Sequence, residues 1–286
     1  MNNPKKIIMA ALLVLFSAGN ADALVDFSDT RAERQMTAAG FYDYPPFGYV
    51  STEFNQDNEE KFVRRHYLFK ELLEEFAEEN NAVVTYMDYL TDYNGIIRDV
   101  RSGDIDILLG MYHDTKLYAG LDYVLPAPVS NPITLMTLPS RRGEIKSLED
   151  VKKLKGAILE KEILSDYVNE QMKDYDVIKI RDPNELFKKL FTKEIDYVFT
   201  GYYTGLIEAS KLGLRNYVAF SKQIIWDIPL FIGVSKASKN RAFLIGRLGK
   251  YLEKKEVQEK FKKHLLNVIH EFEVLNNSIT PPMYTK

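Results

Sequence analysis

Short apolar strands and amphipathic helices alternate along this chain, and the same acidic turn appears twice: Gly103-Asp104-Ile105-Asp106 and Lys193-Glu194-Ile195-Asp196. Parallel strands need a crossover between them, usually a helix, so such alternation predicts a parallel-type α/β sheet. The repeated turn suggests two similar α/β units. Strands are expected over 36–41, 83–87, 105–109, 132–138, 195–199 and 228–234. Phe62, Phe69, Leu72, Leu73 and Phe76 fall on one stripe at helical spacing, which predicts a helix over 60–80. Further helices are expected over 94–101, 183–191 and 204–212, and as one long stretch over 240–270. Ser147-Leu148-Glu149-Asp150 starts a helix as a capping box does. Asp182-Pro183-Asn184-Glu185 places a cap residue, a proline at the first helical position and an acid in the first turn.

The N-terminus reads as a targeting segment. Lys5 and Lys6 precede an apolar run from Ile7 to Ala18, and Ala21-Asp22-Ala23 forms an A-x-A cleavage site. The run is short of the roughly 20 residues that span a bilayer. A cleaved signal peptide over 1–23 and an exported mature chain from Leu24 are therefore expected, placing the protein in the periplasm.

Net charge of -3 supplies no electrostatic footprint for nucleic acid. The absence of cysteine removes a lipid-anchored cysteine, a disulfide framework and a thiol nucleophile. Four scattered histidines give no metal-ligand spacing, and no phosphate loop or nucleophile motif is present. No cofactor, metal or catalytic residue is expected. The 18 Tyr and 16 Phe residues are numerous enough to fill a core and still line a cleft. Tyr42-Asp43-Tyr44-Pro45-Pro46-Phe47-Gly48-Tyr49 displays several of them, on a segment whose prolines forbid helix.

In order along the chain, Tyr44-Pro45-Pro46-Phe47, Arg101-Ser102-Gly103-Asp104-Ile105-Asp106, Asp122-Tyr123, Ser147-Leu148-Glu149-Asp150, Lys193-Glu194-Ile195-Asp196-Tyr197-Val198 and Pro229-Leu230-Phe231-Ile232-Gly233-Val234 resemble the bacterial extracellular solute-binding proteins of family 3. These are the amino-acid-type periplasmic receptors of ABC transporters. The resemblance implies a two-lobed periplasmic-binding-protein fold (type II, Venus-flytrap) with two hinge crossings. Lobe one would comprise 24–130 plus 226–286, and lobe two 131–225. The crossings would lie near Ser130–Pro132 and Trp226. It further implies a monomer that closes on a small solute and delivers it to an ABC permease at the inner membrane.

The same resemblance exposes a departure. Amino-acid-binding members hold the α-carboxylate with an arginine, whose planar fork makes two charge-assisted bonds. Leu117 stands at that position, and Lys116 beside it cannot reproduce the fork. Gly201 stands where an aspartate takes the α-ammonium, and Leu159-Glu160-Lys161-Glu162-Ile163 replaces a small-residue turn that cradles the carboxylate. An ordinary α-amino acid is therefore not the expected ligand. The expected ligand-binding residues are Tyr44, Phe47, Tyr112, Asp114, Lys116, Tyr202 and Trp226, a set suited to a flat, partly apolar or cationic molecule held between rings. His113 reads as a structural histidine, and Glu160 and Glu162 as a solvated loop. Two other functions fit the resemblance: a periplasmic sensor or partner-binding protein, and a cleft enzyme of the cyclohexadienyl dehydratase kind. The enzyme would draw an acid or base from Asp114, Lys116, Glu160 or Glu162.

Overall fold

The computed structural model describes residues 33–54, 61–87, 93–114, 116–162, 166–276, 279–280 and 282–284. The expected signal peptide, Glu60 and Ile163 lie outside the described residues. The chain divides into residues 1–33 and 34–286, and every element below belongs to the second unit.

In chain order the elements are β1 (Arg34–Gly40), β2 (Asp43–Tyr44), β3 (Gly48–Phe54), β4 (Lys61–Tyr67), α1 (Lys70–Glu79), β5 (Ala82–Tyr86), α2 (Tyr93–Ser102), β6 (Ile107–Met111), β7 (Leu121–Tyr123) and β8 (Val129–Thr137). There follow α3 (Leu148–Val151), β9 (Gly156–Leu159), α4 (Asp166–Gln171), β10 (Val177–Ile180), α5 (Pro183–Phe191), β11 (Tyr197–Gly201), α6 (Tyr202–Lys211), β12 (Ala219–Phe220), β13 (Trp226–Ser235), α7 (Arg241–Leu252) and α8 (Lys255–Asn276). Ten strands form one mixed sheet in the order β10-β9-β11-β8-β13-β6-β1-β5, with β12 on β8 and β7 on β13. β2, β3 and β4 form a separate antiparallel sheet.

The large sheet has two halves joined by β13. Its residues Trp226–Leu230 pair with β8 in the second half. From Phe231 onward the same strand pairs with β6, with a register shift between Phe231 and Ile232, and Gly233–Ser235 pair with β7 in the first half. A register shift of this kind bends a strand. Each half contains a parallel pair, β1 with β6 and β9 with β11, as helix–strand alternation requires.

The repeated acidic turn does the same structural task in both halves. Asp106 accepts from the Thr37 backbone N–H at 2.8 Å, and Asp196 accepts from the Lys155 backbone N–H at 2.9 Å. In both cases a carboxylate just before one strand holds the backbone of its parallel neighbour, in the middle of β1 at Thr37 and just before β9 at Lys155. Both turns carry a left-handed residue, Gly103 at φ 89° and Lys193 at φ 62°. Asp106 is buried and also accepts from the Thr37 and Ser238 hydroxyls and from Asn240 Nδ2 at 3.2 Å. Asp196 is more exposed and pairs with Arg141.

Two expectations are corrected. The helix predicted over 60–80 begins only at Lys70, because Lys61–Tyr67 instead forms a strand against β3. Phe62, Val63 and Tyr67 are strand formers, and a hairpin partner satisfies their backbone more fully than one isolated helical turn could. Leu72, Leu73 and Phe76 keep the predicted buried stripe. The stretch predicted as one helix over 240–270 is two helices, broken at Glu253–Lys254. The break lets Leu244 and Leu248 pack from one direction while Phe261 reaches the Phe69 ring at 5.3 Å.

The two aspartates give a test of the duplicated turn. Asp106→Ala should lower unfolding stability by roughly 3 kcal/mol, because it strands several buried donors. Asp196→Ala should cost about 1 kcal/mol, since water can reach its partners. Urea denaturation of the two variants measures both, and equal losses would refute the ranking.

Candidate functional site

Tyr44 ends β2, and Phe47 follows the Pro45-Pro46 turn. Their rings stack with centroids 5.6 Å apart, and both are buried. Tyr112 follows β6 and meets Tyr44 edge-on at 6.1 Å, with the two hydroxyl oxygens 2.5 Å apart. Asn131, fully buried on β8, donates from Nδ2 to both hydroxyls at 3.0 Å. The structure thus unites three of the seven expected residues, Tyr44, Phe47 and Tyr112, on the first half of the fold.

The second half answers with Glu162, in the turn after β9. Its Oε1 accepts from Tyr44 OH at 3.3 Å, the Gly201 N–H at 2.9 Å and Thr204 Oγ1 at 3.0 Å. Gly201 ends β11 and Thr204 lies in the first turn of α6. Gly201 is required by close approach: a Cβ there would fall 2.1 Å from Asn131 Nδ2. The residue expected to replace an ammonium-binding aspartate therefore leaves room for the Asn131 amide.

Glu162 overturns the reading of residues 160–162 as a solvated loop. It is only 9% exposed, and no lysine or arginine pairs with it among the described residues. Burial drives its pKa up to about 7, opposed by the Gly201, Thr204 and Tyr44 donors and helped by the nearby Glu208 carboxylate. Burial also raises Tyr44 and Tyr112, with the Glu162 charge adding to both shifts. Lys161 points elsewhere, to Glu208 at 3.1 Å and to Asp43 on the first half at 3.4 Å. Burial lowers its pKa, but those carboxylates outweigh that and hold it above the ordinary value. Glu160 matches the solvated reading, exposed and paired with Arg181 at 3.1 Å.

The other expected residues are dispersed. Asp114 accepts from the Lys116 and Leu117 backbone N–H groups at 2.9 and 2.7 Å, so its carboxylate caps a turn. Lys116 is exposed on that turn, and Leu117 packs against a hydrophobic cluster. Arg101 donates to the Leu117 carbonyl at 2.7 Å, which commits that guanidinium to the loop backbone. Tyr202 sits on another face, in a groove of about 750 Å³ with Tyr203, Phe220 and Arg215. Trp226 packs on Phe199 at 5.6 Å and lines a cavity of about 500 Å³ with His113, Tyr167 and Phe231. His113 stacks on Tyr123 at 4.9 Å, so it combines a packing contact with a place on that cavity wall.

Sequence reasoning missed Asn131 and Thr204, and it named Glu162 only as a candidate acid or base for an enzyme, in a loop expected to be solvated. A polar residue inside the apolar run of β8 was the available signal for Asn131, whereas an acid-lysine-acid triplet ordinarily marks a wet surface.

No protein-family model matches the chain, and no curated protein matches it by sequence. Solved structures do match it. An ancestral cationic amino-acid solute-binding protein superposes with a TM-score of 0.59 at 16% identity, covering 82% of this chain and 95% of its own. An amino-acid ABC transporter substrate-binding protein from Streptococcus pneumoniae, bound to L-arginine, gives 0.54 at 15% identity, covering 87% and 95%. An ancestral cyclohexadienyl dehydratase gives 0.50 at 15% identity, covering 82% and 92%. At these identities the likeness establishes the fold, that of two-lobed solute-binding proteins. No described helix is long and apolar enough to cross a membrane.

The Glu162 carboxyl predicts a pH signature. Its folded pKa lies above its unfolded value, so the native state binds the extra proton between about 4.5 and about 7. Stability from this group is fully present below that window and is lost as pH rises through it. Glu162→Gln should flatten the fall in melting temperature between about pH 5 and 7.5. Unchanged slopes in thermal melts across that range would show that the carboxyl titrates normally.

Proposed function

We propose that this protein is a periplasmic solute-binding receptor whose two lobes close on a small molecule other than an ordinary α-amino acid. The observation that carries the reading is the hydrogen-bonded bridge from Tyr44 and Tyr112 in the first half to Asn131 and Glu162 in the second, which joins the two halves of the fold. A receptor of α-amino acids needs a cation for the carboxylate. This bridge instead offers a carboxylate, two phenols and an amide, and Arg101 is occupied elsewhere. Burying an unpaired ligand carboxylate beside Glu162 would cost several kcal/mol, comparable to the whole affinity of a weak ligand.

In this reading residues 24–130 plus 226–286 form lobe one and 131–225 lobe two, with hinges near Ser130–Pro132 and Trp226. Closure assembles the bridge, as hinge-bending receptors require. The closed form hands its solute to an ABC permease at the inner membrane. The fold likeness to ABC substrate-binding proteins supports that partner.

A second reading, an acid–base enzyme in the same cleft, draws on one specific observation. A carboxyl with pKa about 7 is suited to proton transfer at neutral pH. The ancestral dehydratase shares the fold. Asp114, Lys116 and Glu160 lend it no support, since a turn cap, an exposed chain and a surface ion pair account for them.

The deciding measurement is a thermal-shift screen of the mature chain, Leu24 to Lys286, against amino acids, organic amines, small carboxylates and nucleosides. A solute at a hundred times its Kd should add about 2.7 kcal/mol of stability. Stabilisation by ordinary α-amino acids would refute the exclusion drawn from Leu117 and Gly201. Chemical conversion of a stabilising solute, lost in Glu162→Gln, would move the protein to the enzyme reading.

A further inference from the structure

The cavity beside the bridge has a composition of its own. It holds about 500 Å³, within the range of small-molecule sites. Its walls come from both halves and from the strand that joins them: His113 after β6, Tyr167 on α4, and Trp226, Asp227 and Phe231 on β13. Ile225, Ile228 and Val168 make the remaining wall largely apolar. Asp227 is the one carboxylate lining it among the described residues, and neither lysine nor arginine lines it there. No ion pair engages Asp227 among the described residues.

We propose that this cavity is the solute site and that it takes a small organic cation, a quaternary or protonated amine without a carboxylate. The inference rests on the receptor reading and specifies its ligand class. The sign of charge follows from Asp227. Asp227 is exposed and lines the cavity, so an anion entering would be repelled by it. A cation satisfies the carboxylate and also gains from ring faces, most strongly from the indole of Trp226. The phenol of Tyr167 and the ring of Phe231 suit a greasy alkylammonium surface in the same way. Opposite lobes supply Tyr167 and Phe231, so such a ligand would reward closure.

Trp226 is the only tryptophan in the chain, which gives a direct reporter. Choline and benzyltrimethylammonium are titrated into the mature protein, following Trp226 emission and, in parallel, calorimetric heat. The neutral controls are 3,3-dimethylbutan-1-ol and benzyl alcohol. Saturable binding of at least one cation, at least tenfold tighter than its neutral control, is expected. Asp227→Asn should weaken that cation at least threefold while leaving the neutral control unchanged. Trp226→Leu, read by calorimetry alone, should weaken it further. Equal affinity for cation and neutral control, or indifference to Asp227→Asn in a protein whose melting profile is intact, overturns the proposal. If neither cation binds but a carboxylate or nucleoside from the wider screen does, the cation inference fails and the receptor reading stands. Silence from every solute sinks both.

Discussion

A buried carboxylate without a cation is the constraint around which this fold is arranged. Glu162 sits between two lobes, and removing its charge from water costs several kcal/mol unless donors replace the lost hydration. A backbone N–H, a threonine hydroxyl and a phenol do so in part. Each comes from a different place: the end of β11, the start of α6 and the opposite lobe. Only the last comes from the first half of the fold, whereas the bonds to Gly201 and Thr204 are internal to the second. Tyr44 and Tyr112 are themselves ordered by Asn131, so one amide sets the position of the donor that crosses the cleft.

The rest of the molecule limits how that cleft can open. β13 passes through both halves of the sheet and changes register between Phe231 and Ile232, which gives a bend without breaking the strand. α8 adds a second tie. Its early turns pack on the first half, through Phe261 against Phe69 and His264 near Glu71 at 3.3 Å. Near its end Glu273 pairs with Arg215 of the second half at 3.2 Å. A helix of 22 residues is about 33 Å long, enough to reach across both. The helix thus ties the two halves together independently of the bridge.

The parts legible in the sequence were those fixed by local rules. The acidic turns at 103–106 and 193–196 marked parallel units because a carboxylate before a strand pins its neighbour, a task that needs only a few residues. Asp182 with Pro183 and Ser147 with Asp150 marked helix starts for the same reason. Tyr44 and Phe47 were legible as near neighbours because two prolines fix the turn between them, and Tyr112 was legible by its place directly after the strand β6. Residues 61–67 were misread because aromatic residues at helical spacing also fit a strand, and only the partner strand decides. The turn capped by Asp114 was not legible, because a turn cap and a ligand contact have the same sequence appearance. Glu162 was visible as a candidate acid or base, but its burial was not, because that burial is created by Tyr44 and Thr204, which lie far from it along the chain.

Distance along the chain also hides how the bridge and the aromatic cavity are joined. Asn131 on β8 lies opposite Ile228 on β13, and Pro132 lies opposite Asp227. The amide that orders the two phenols and the carboxylate that lines the cavity are thus on adjacent rungs of one antiparallel ladder. That ladder is where β13 joins the second half of the large sheet. A force on Asp227 and a force on Asn131 act on the same short pair of strands, which has little freedom to respond to them separately. A displacement of one is passed to the other by backbone hydrogen bonds rather than by a chain of side chains.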